Sequence, residues 1–109
     1  MPVPFQPGQV VTVFRSRLGP DNVEEYGVTA AAMGELARTM PGYVEHKSFT
    51  AEDGERVTVV TFADRESQEG WRTQVDHRAA QRRGREAFYA EYSLQVADVT
   101  TVSTFPTPG

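Results

Sequence analysis

Residues 55–62 place Val57 and Val59 on one face of a strand and Val60 and Phe62 on the other. An antiparallel strand shows apolar residues on both faces only when neither face meets water. This strand must therefore lie inside a layered structure. The chain has 109 residues, one domain's worth, enough to bury about two-thirds of its unfolded surface. One helical layer covers one face of the sheet. A partner subunit or a ligand has to cover the other.

The remaining segments define the layers. Val10, Thr12, Phe14, Ser16 and Leu18 alternate with Val11, Val13, Arg15 and Arg17, which predicts a first strand over 10–18. Gly19-Pro20 ends it, Asp21 or Asn22 is a candidate helix cap, and Glu25 stands three residues after Asn22 as in a capping box. Tyr26, Ala30, Met33, Ala37 and Met40 then form an apolar stripe at helical spacing, stopped by Pro41-Gly42. Gly27 and Gly34 weaken that helix and lie near one azimuth, so a close approach to another backbone is expected there. Residues 43–50 and 55–62 form a hairpin around Ala51-Glu52-Asp53-Gly54. Residues 65–89 predict two helical segments, with Trp71 and Val75 one turn apart and a break near Asp76, which would cap the second. A long final strand is expected from Tyr92 to Phe105. The order βαββαβ predicts an α+β fold of the ferredoxin-like class, a four-stranded antiparallel sheet with helices on one side. Residues 1–8, with three prolines, read as an extended arm whose Phe5 docks on a neighbouring surface, 9–105 as the folded domain and 106–109 as a tail.

Several chemistries are disfavoured. With no cysteine, disulfides, thiolate nucleophiles, iron–sulfur clusters and cysteine-bound zinc are excluded. A net charge of −4 argues against nucleic acid as a partner. The start MPVPFQPGQ lacks a basic, apolar leader, and no stretch is long and apolar enough for a membrane span, so a cytoplasmic protein with no membrane partner is expected. His46 and His77 stand in no metal-ligand spacing, and no glycine-rich phosphate loop or dinucleotide fingerprint occurs. The expectation is no metal and no cofactor.

The positive signal lies between Trp71 and Val96. This stretch gathers Trp71, His77, Arg82, Arg83, Arg85, Phe88, Tyr89 and Tyr92 at the approach to a strand, an assortment suited to a flat or anionic organic molecule. Six of the eleven Lys and Arg residues fall between Arg65 and Arg85, against Glu66, Glu69 and Asp76 in the same interval. Each residue also has a plainer role. Trp71 can be a packing residue, His46 between Glu45 and Lys47 a surface histidine, His77 a helix-start decoration, the tyrosines core aromatics, and the arginines a solvated helix face. Adjacent helical residues point about 100° apart, so at most two of the arginines can face one pocket.

The chain resembles the antibiotic biosynthesis monooxygenase family of dimeric α+β barrel proteins. The resemblance rests on Phe14-Arg15-Ser16-Arg17-Leu18, Met40-Pro41-Gly42-Tyr43, Lys47-Ser48-Phe49, Glu52-Asp53-Gly54-Glu55, and Trp71 through His77 to Gln81-Arg82-Arg83-Gly84-Arg85, Phe88-Tyr89 and Tyr92, within residues 10–105. It implies a homodimer with sheets packed face to face and a pocket in each subunit between sheet and helices. It also implies cofactor-independent oxygenation of a planar aromatic, polyketide- or anthrone-like molecule by dioxygen. In that reading His46 or His77 is the base, Arg82 or Arg85 stabilises the anion, Trp71 stacks on the ring, Tyr89 or Tyr92 hydrogen-bonds an oxygen, and Phe14 and Ser16 border the substrate. The alternative is haem binding and degradation, as in related proteins. There Trp71 matches a tryptophan, Ser16 stands in place of an asparagine and Gln81 in place of the haem-ligating histidine, with His77 one turn earlier on the same face. A third reading is a dimer that binds a small molecule without catalysis.

Overall fold

The structure, a computed structural model, describes residues 5–106. Four strands, β1 (Val10–Leu18), β2 (Tyr43–Thr50), β3 (Arg56–Phe62) and β4 (Tyr89–Asp98), form one antiparallel sheet in the order β2-β3-β1-β4. Helix α1 (Val23–Arg38) connects β1 to β2. Helices α2 (Arg65–Arg72) and α3 (Val75–Arg83), followed by a π turn (Gly84–Phe88), connect β3 to β4. This is the ferredoxin-like α+β architecture expected from the order of elements. No helix among the described residues is long and apolar enough to cross a membrane.

Side-chain alternation decides which face does what. Val10, Thr12, Phe14 and Ser16 of β1 lie opposite Phe62, Val60, Thr58 and Arg56 of β3, and this face receives the helices. Phe62 and Val10 are completely buried there, and Phe62 packs with Ala37 and Trp71, flanked by Met33, Leu36, Met40, Tyr43 and Val60. Val11, Val13, Val57 and Val59 lie on the opposite face, half-buried with no helix over them. Salt bridges from Arg15 to Glu55 and from Arg17 to Asp53 tie the hairpin loop to β1.

Each edge strand carries a bulge. On β2, Tyr43 pairs with Phe62 and Glu45 with Thr61, leaving Val44 over; on β4, Tyr89 pairs with Leu18 and Glu91 with Arg17, leaving Ala90 over. The extra residue reverses the alternation. Tyr43 and His46, and likewise Tyr89 and Tyr92, therefore share the helix face although each pair is three residues apart.

Several local expectations are corrected. The Asn22–Glu25 capping box does not form: Asn22 is left-handed (φ 63°), and its side chain donates to the Ala87 carbonyl, tying the start of α1 to the π turn. A capping box occurs instead at α2, between Asp64 and Ser67. The break between α2 and α3 falls at Thr73-Gln74, and Gln74 rather than Asp76 caps α3 by accepting from the His77 N–H. Because the helix is interrupted there, Val75 does not continue the Trp71 face and is 78% exposed. No backbone approaches Gly27 or Gly34: a Cβ on Gly27 would meet nothing within 4 Å, and one on Gly34 would meet the His46 ring at 3.2 Å. β4 starts at Tyr89 and ends at Asp98, not at Phe105, because its neighbour β1 begins at Val10, the partner of Asp98. Beyond it, Val99 still bonds to Gly8 and Gln9, whereas Phe105 is 98% exposed. Of the expected arm and tail, residues 1–4 and 107–109 lie outside the described residues; Phe5 is 40% exposed.

Candidate functional site

The helices do not fill the space above the sheet. A cavity of ≈ 240 Å³ remains, floored by Thr12, Phe14, His46, Ser48, Arg56, Thr58 and Val60 and roofed by Tyr26, Ala30 and Met33 of α1. Gln68, Trp71, His77 and Gln81 of α2 and α3 form one wall, and Phe88, Tyr89 and Tyr92 close the β4 side. The cavity is chemically polarised along β3. Trp71 stacks on Phe62 at 6.5 Å between centroids, whereas Arg56 lies over the Tyr26 ring at 5.4 Å. Six residues separate Phe62 from Arg56, roughly 20 Å of strand at about 3.4 Å per residue. One end thus offers indole, imidazole and amide groups, and the other guanidinium and phenols.

The interrupted helix positions His77. Its ring lies flat on the Trp71 indole, with centroids 3.9 Å apart and planes 14° apart, and its Nδ1 is 2.9 Å from the Trp71 carbonyl oxygen. A carbonyl only accepts, so Nδ1 carries the hydrogen and the lone pair of the neutral ring sits on Nε2. Burial pulls the His77 pKa below its ordinary value, opposed by the bond to the Trp71 carbonyl. His46 is held differently. The Tyr43 hydroxyl accepts from the His46 backbone N–H at 3.0 Å and forms a hydrogen bond of 2.7 Å with its Nδ1, which turns Nε2 toward Gly34. Burial, and then the charge of Arg38, lower its pKa as well. Both imidazoles are therefore neutral at pH 7. Tyr89 has its pKa raised by burial and by Tyr26, so its phenol stays protonated.

Among the candidates named from the sequence, Phe14, His46, Trp71, His77, Tyr89 and Tyr92 converge on this cavity. Arg82 and Arg85 do not: both are exposed, because Ala80, Gln81, Gly84 and Phe88 take the inward positions of α3 and the π turn. Ser16 is buried between β3 and β4 and borders a separate depression with Arg15, Glu55 and Glu91. Two cavity residues were not singled out beforehand. Arg56 is the lining guanidinium that, among the described residues, has no carboxylate partner; Arg72 also lines the cavity but is paired with Glu69. Its strand phase gives it away, since Arg56 shares the parity of Phe62. Gln68 stands three residues before Trp71 on α2, a position fixed by the Asp64–Ser67 cap. No group of three or more His, Cys, Asp or Glu able to hold a metal ion occurs among the described residues.

Comparison with known proteins agrees with this fold. The fold is similar to that of SnoaB from Streptomyces nogalater, described as a cofactor-independent oxygenase, with a TM-score of 0.70 at 19% identity over 92% of this chain and 99% of that one. It is also similar to Rv0793 from Mycobacterium tuberculosis, with a TM-score of 0.77 at 16% identity over 88% of this chain and 99% of that one. In sequence it is 32% identical over 94 residues to the uncharacterized protein YqjZ of Bacillus subtilis, covering 86% of this chain and 82% of the relative. The antibiotic biosynthesis monooxygenase family model matches residues 9–83, more than half of the chain. The chain belongs to the antibiotic biosynthesis monooxygenase family.

Proposed function

We propose that the protein is a cofactor-independent oxygenase of a planar, electron-rich aromatic molecule, an anthrone-like substrate, with His77 as the base. The observation that carries this reading is the fixed tautomer of His77, which faces an aromatic-lined cavity as a neutral imidazole with its Nε2 lone pair free. The base takes a proton from the activated ring CH₂. The resulting carbanion passes an electron to dioxygen, recombination forms a C–O bond, and the peroxide breaks to a carbonyl with loss of water, so that CH₂ and O₂ become C=O and H₂O. The protein removes the proton, holds the anion and excludes water. Arg56, which has no carboxylate partner among the described residues, is the group suited to hold the anion, and the Tyr89–Tyr92 pair suits the ring. SnoaB's description as cofactor-independent supports the absence of flavin and metal from this scheme.

Haem fits these residues poorly. His77 is stacked flat on Trp71, and Gln81, not a histidine, stands at the position the resemblance gives to the haem ligand. We further propose a homodimer, with the valine face of the sheet against that of a second copy. Sedimentation should then give twice the 12.1 kDa protomer mass at micromolar concentration.

The test is oxygen consumption with an anthrone probe and labelled dioxygen. One labelled atom should appear in the product without added flavin or metal. His77→Gln should lower kcat by roughly 10²–10⁴-fold, the usual contribution of a general base. Full activity of that variant, or turnover only with added flavin, would discard the proposal.

A further inference from the structure

The chain carries 15 Asp and Glu against 11 Lys and Arg, yet among the described residues the cavity is lined by two arginines and no acid. Arg72 is exposed and bonded to Glu69. Arg56 is half-buried, rests over the Tyr26 ring, and makes no side-chain hydrogen bond or ion pair among the described residues. Its chain neighbour Glu55 is taken by Arg15. Arg78, Arg82 and Arg85 likewise have no acidic partner among the described residues, but they stand exposed, where water serves a cation well. A half-buried guanidinium has given up part of that water, and its planar fork of donors matches a carboxylate better than a neutral group. Because both imidazoles and the Tyr89 phenol are neutral, nothing in the wall offsets this charge. Arg56 and Phe62 are the two ends of β3, and Phe62 carries the Trp71–His77 stack. The cation and the base therefore belong to opposite ends of the strand.

We infer that the ligand brings a negative charge of its own: it is an aromatic carboxylate whose carboxyl group, remote from the carbon that loses its proton, is held by Arg56. The inference rests on the aromatic-substrate reading and narrows it, since that reading needs a charge only after the proton has left. Arg56 is then a specificity-determining residue, which separates acids from neutral molecules of the same shape because only an acid gives the half-buried cation a partner. The absence of acids from the wall acts the same way, since no lining carboxylate repels the incoming one.

Binding of a matched pair tests this. Calorimetric titration at low ionic strength compares anthraquinone-2-carboxylate with anthraquinone-2-carboxamide, planar molecules of one shape with no CH₂ left to oxidise. Wild-type protein should bind the acid about tenfold more tightly than the amide. Arg56→Met should lose that ratio, whatever it does to the two affinities separately. Arg78→Met, which removes the same charge from the exposed side of α3, should keep it. Equal binding of acid and amide by wild type overturns the inference and leaves the aromatic-ligand reading intact, and this comparison decides even if Arg56→Met does not fold. A preference that survives in Arg56→Met, or that is lost in Arg78→Met, does the same. Failure of wild type to bind either molecule overturns the aromatic-ligand reading and the inference with it.

Discussion

Gly42→Ala should cost far more than its position in a surface turn suggests. Gly42 has φ +79°, and a Cβ added there would stand 2.3 Å from the Ser67 Cβ and 2.4 Å from its Oγ. The left-handed conformation alone costs a non-glycine residue about 1–2 kcal/mol. The collision cannot be relieved by a flexible side-chain end, because the Ser67 Cβ is fixed to helix α2. Displacing it breaks the reciprocal bonds between Asp64 and Ser67, a helix cap worth about 0.5–2 kcal/mol. Together these give about 1.5–4 kcal/mol. At about 4 °C per kcal/mol for a domain of this size, the melting temperature should fall by roughly 6–16 °C. Denaturant melts of Gly42→Ala, Ser67→Gly and the double variant separate the two parts. In the Ser67→Gly background the colliding atom is gone, and Gly42→Ala should cost only the conformational share. A loss below about 0.5 kcal/mol in the single variant, or strictly additive effects, would refute the reasoning.

Stability should decline on mild acidification. An unfolded imidazole takes up its proton near pH 6.5, whereas His46 and His77 in the fold do so at lower pH, so the unfolded chain binds more protons in that window. The histidine contribution is flat above about pH 7.5 and falls below about 6.5. Denaturation at pH 7.5 and 5.5 should show a smaller difference for His77→Gln than for wild type. Trp71→Ala removes the ring held between Phe62 and His77 and should cost about 3–5 kcal/mol by denaturant titration. Arg83→Ala breaks a solvent-exposed pair with Glu25 and should barely move the same titration. Gly84→Ala would put a Cβ 2.5 Å from the Tyr89 ring, at a position without a left-handed backbone. It should push the phenol into the cavity and weaken binding of an anthrone probe well beyond its effect on thermal stability.

Element order and most of the cavity wall were legible in the sequence because they follow from periodicity. Val60 and Phe62 against Val57 and Val59 fixed the two faces of β3, and the Tyr26-to-Met40 stripe fixed the roof. What escaped depended on hydrogen bonds between distant segments. Asn22 could cap α1 or bond to Ala87, and only the folded chain brings Ala87 near enough to compete. Residues 99–105 have strand-like composition but run past the end of β1, and length of partner is not a local property. The arginines near the π turn drew attention as a cluster, while Arg56, isolated in sequence among valines and threonines, reached the cavity through strand phase alone. His77 was visible as a titratable residue. The tautomer that makes its Nε2 available depended on the helix break two residues from where it was expected.

Val44 and Ala90 form no contact with any ligand in the scheme above, yet each sets the parity of its edge strand. Deleting Val44 would exchange one end of β2 for its mirror face, so that either the Tyr43 phenol or the His46 imidazole faced outward; deleting Ala90 would do the same to Tyr89 and Tyr92. Such single-residue insertions are economical levers, able to swap which pair of side chains a pocket sees without altering one of them. A relative aligned to this chain with a one-residue gap at either position should therefore be treated as having a differently furnished pocket, however well its aromatic and imidazole residues match.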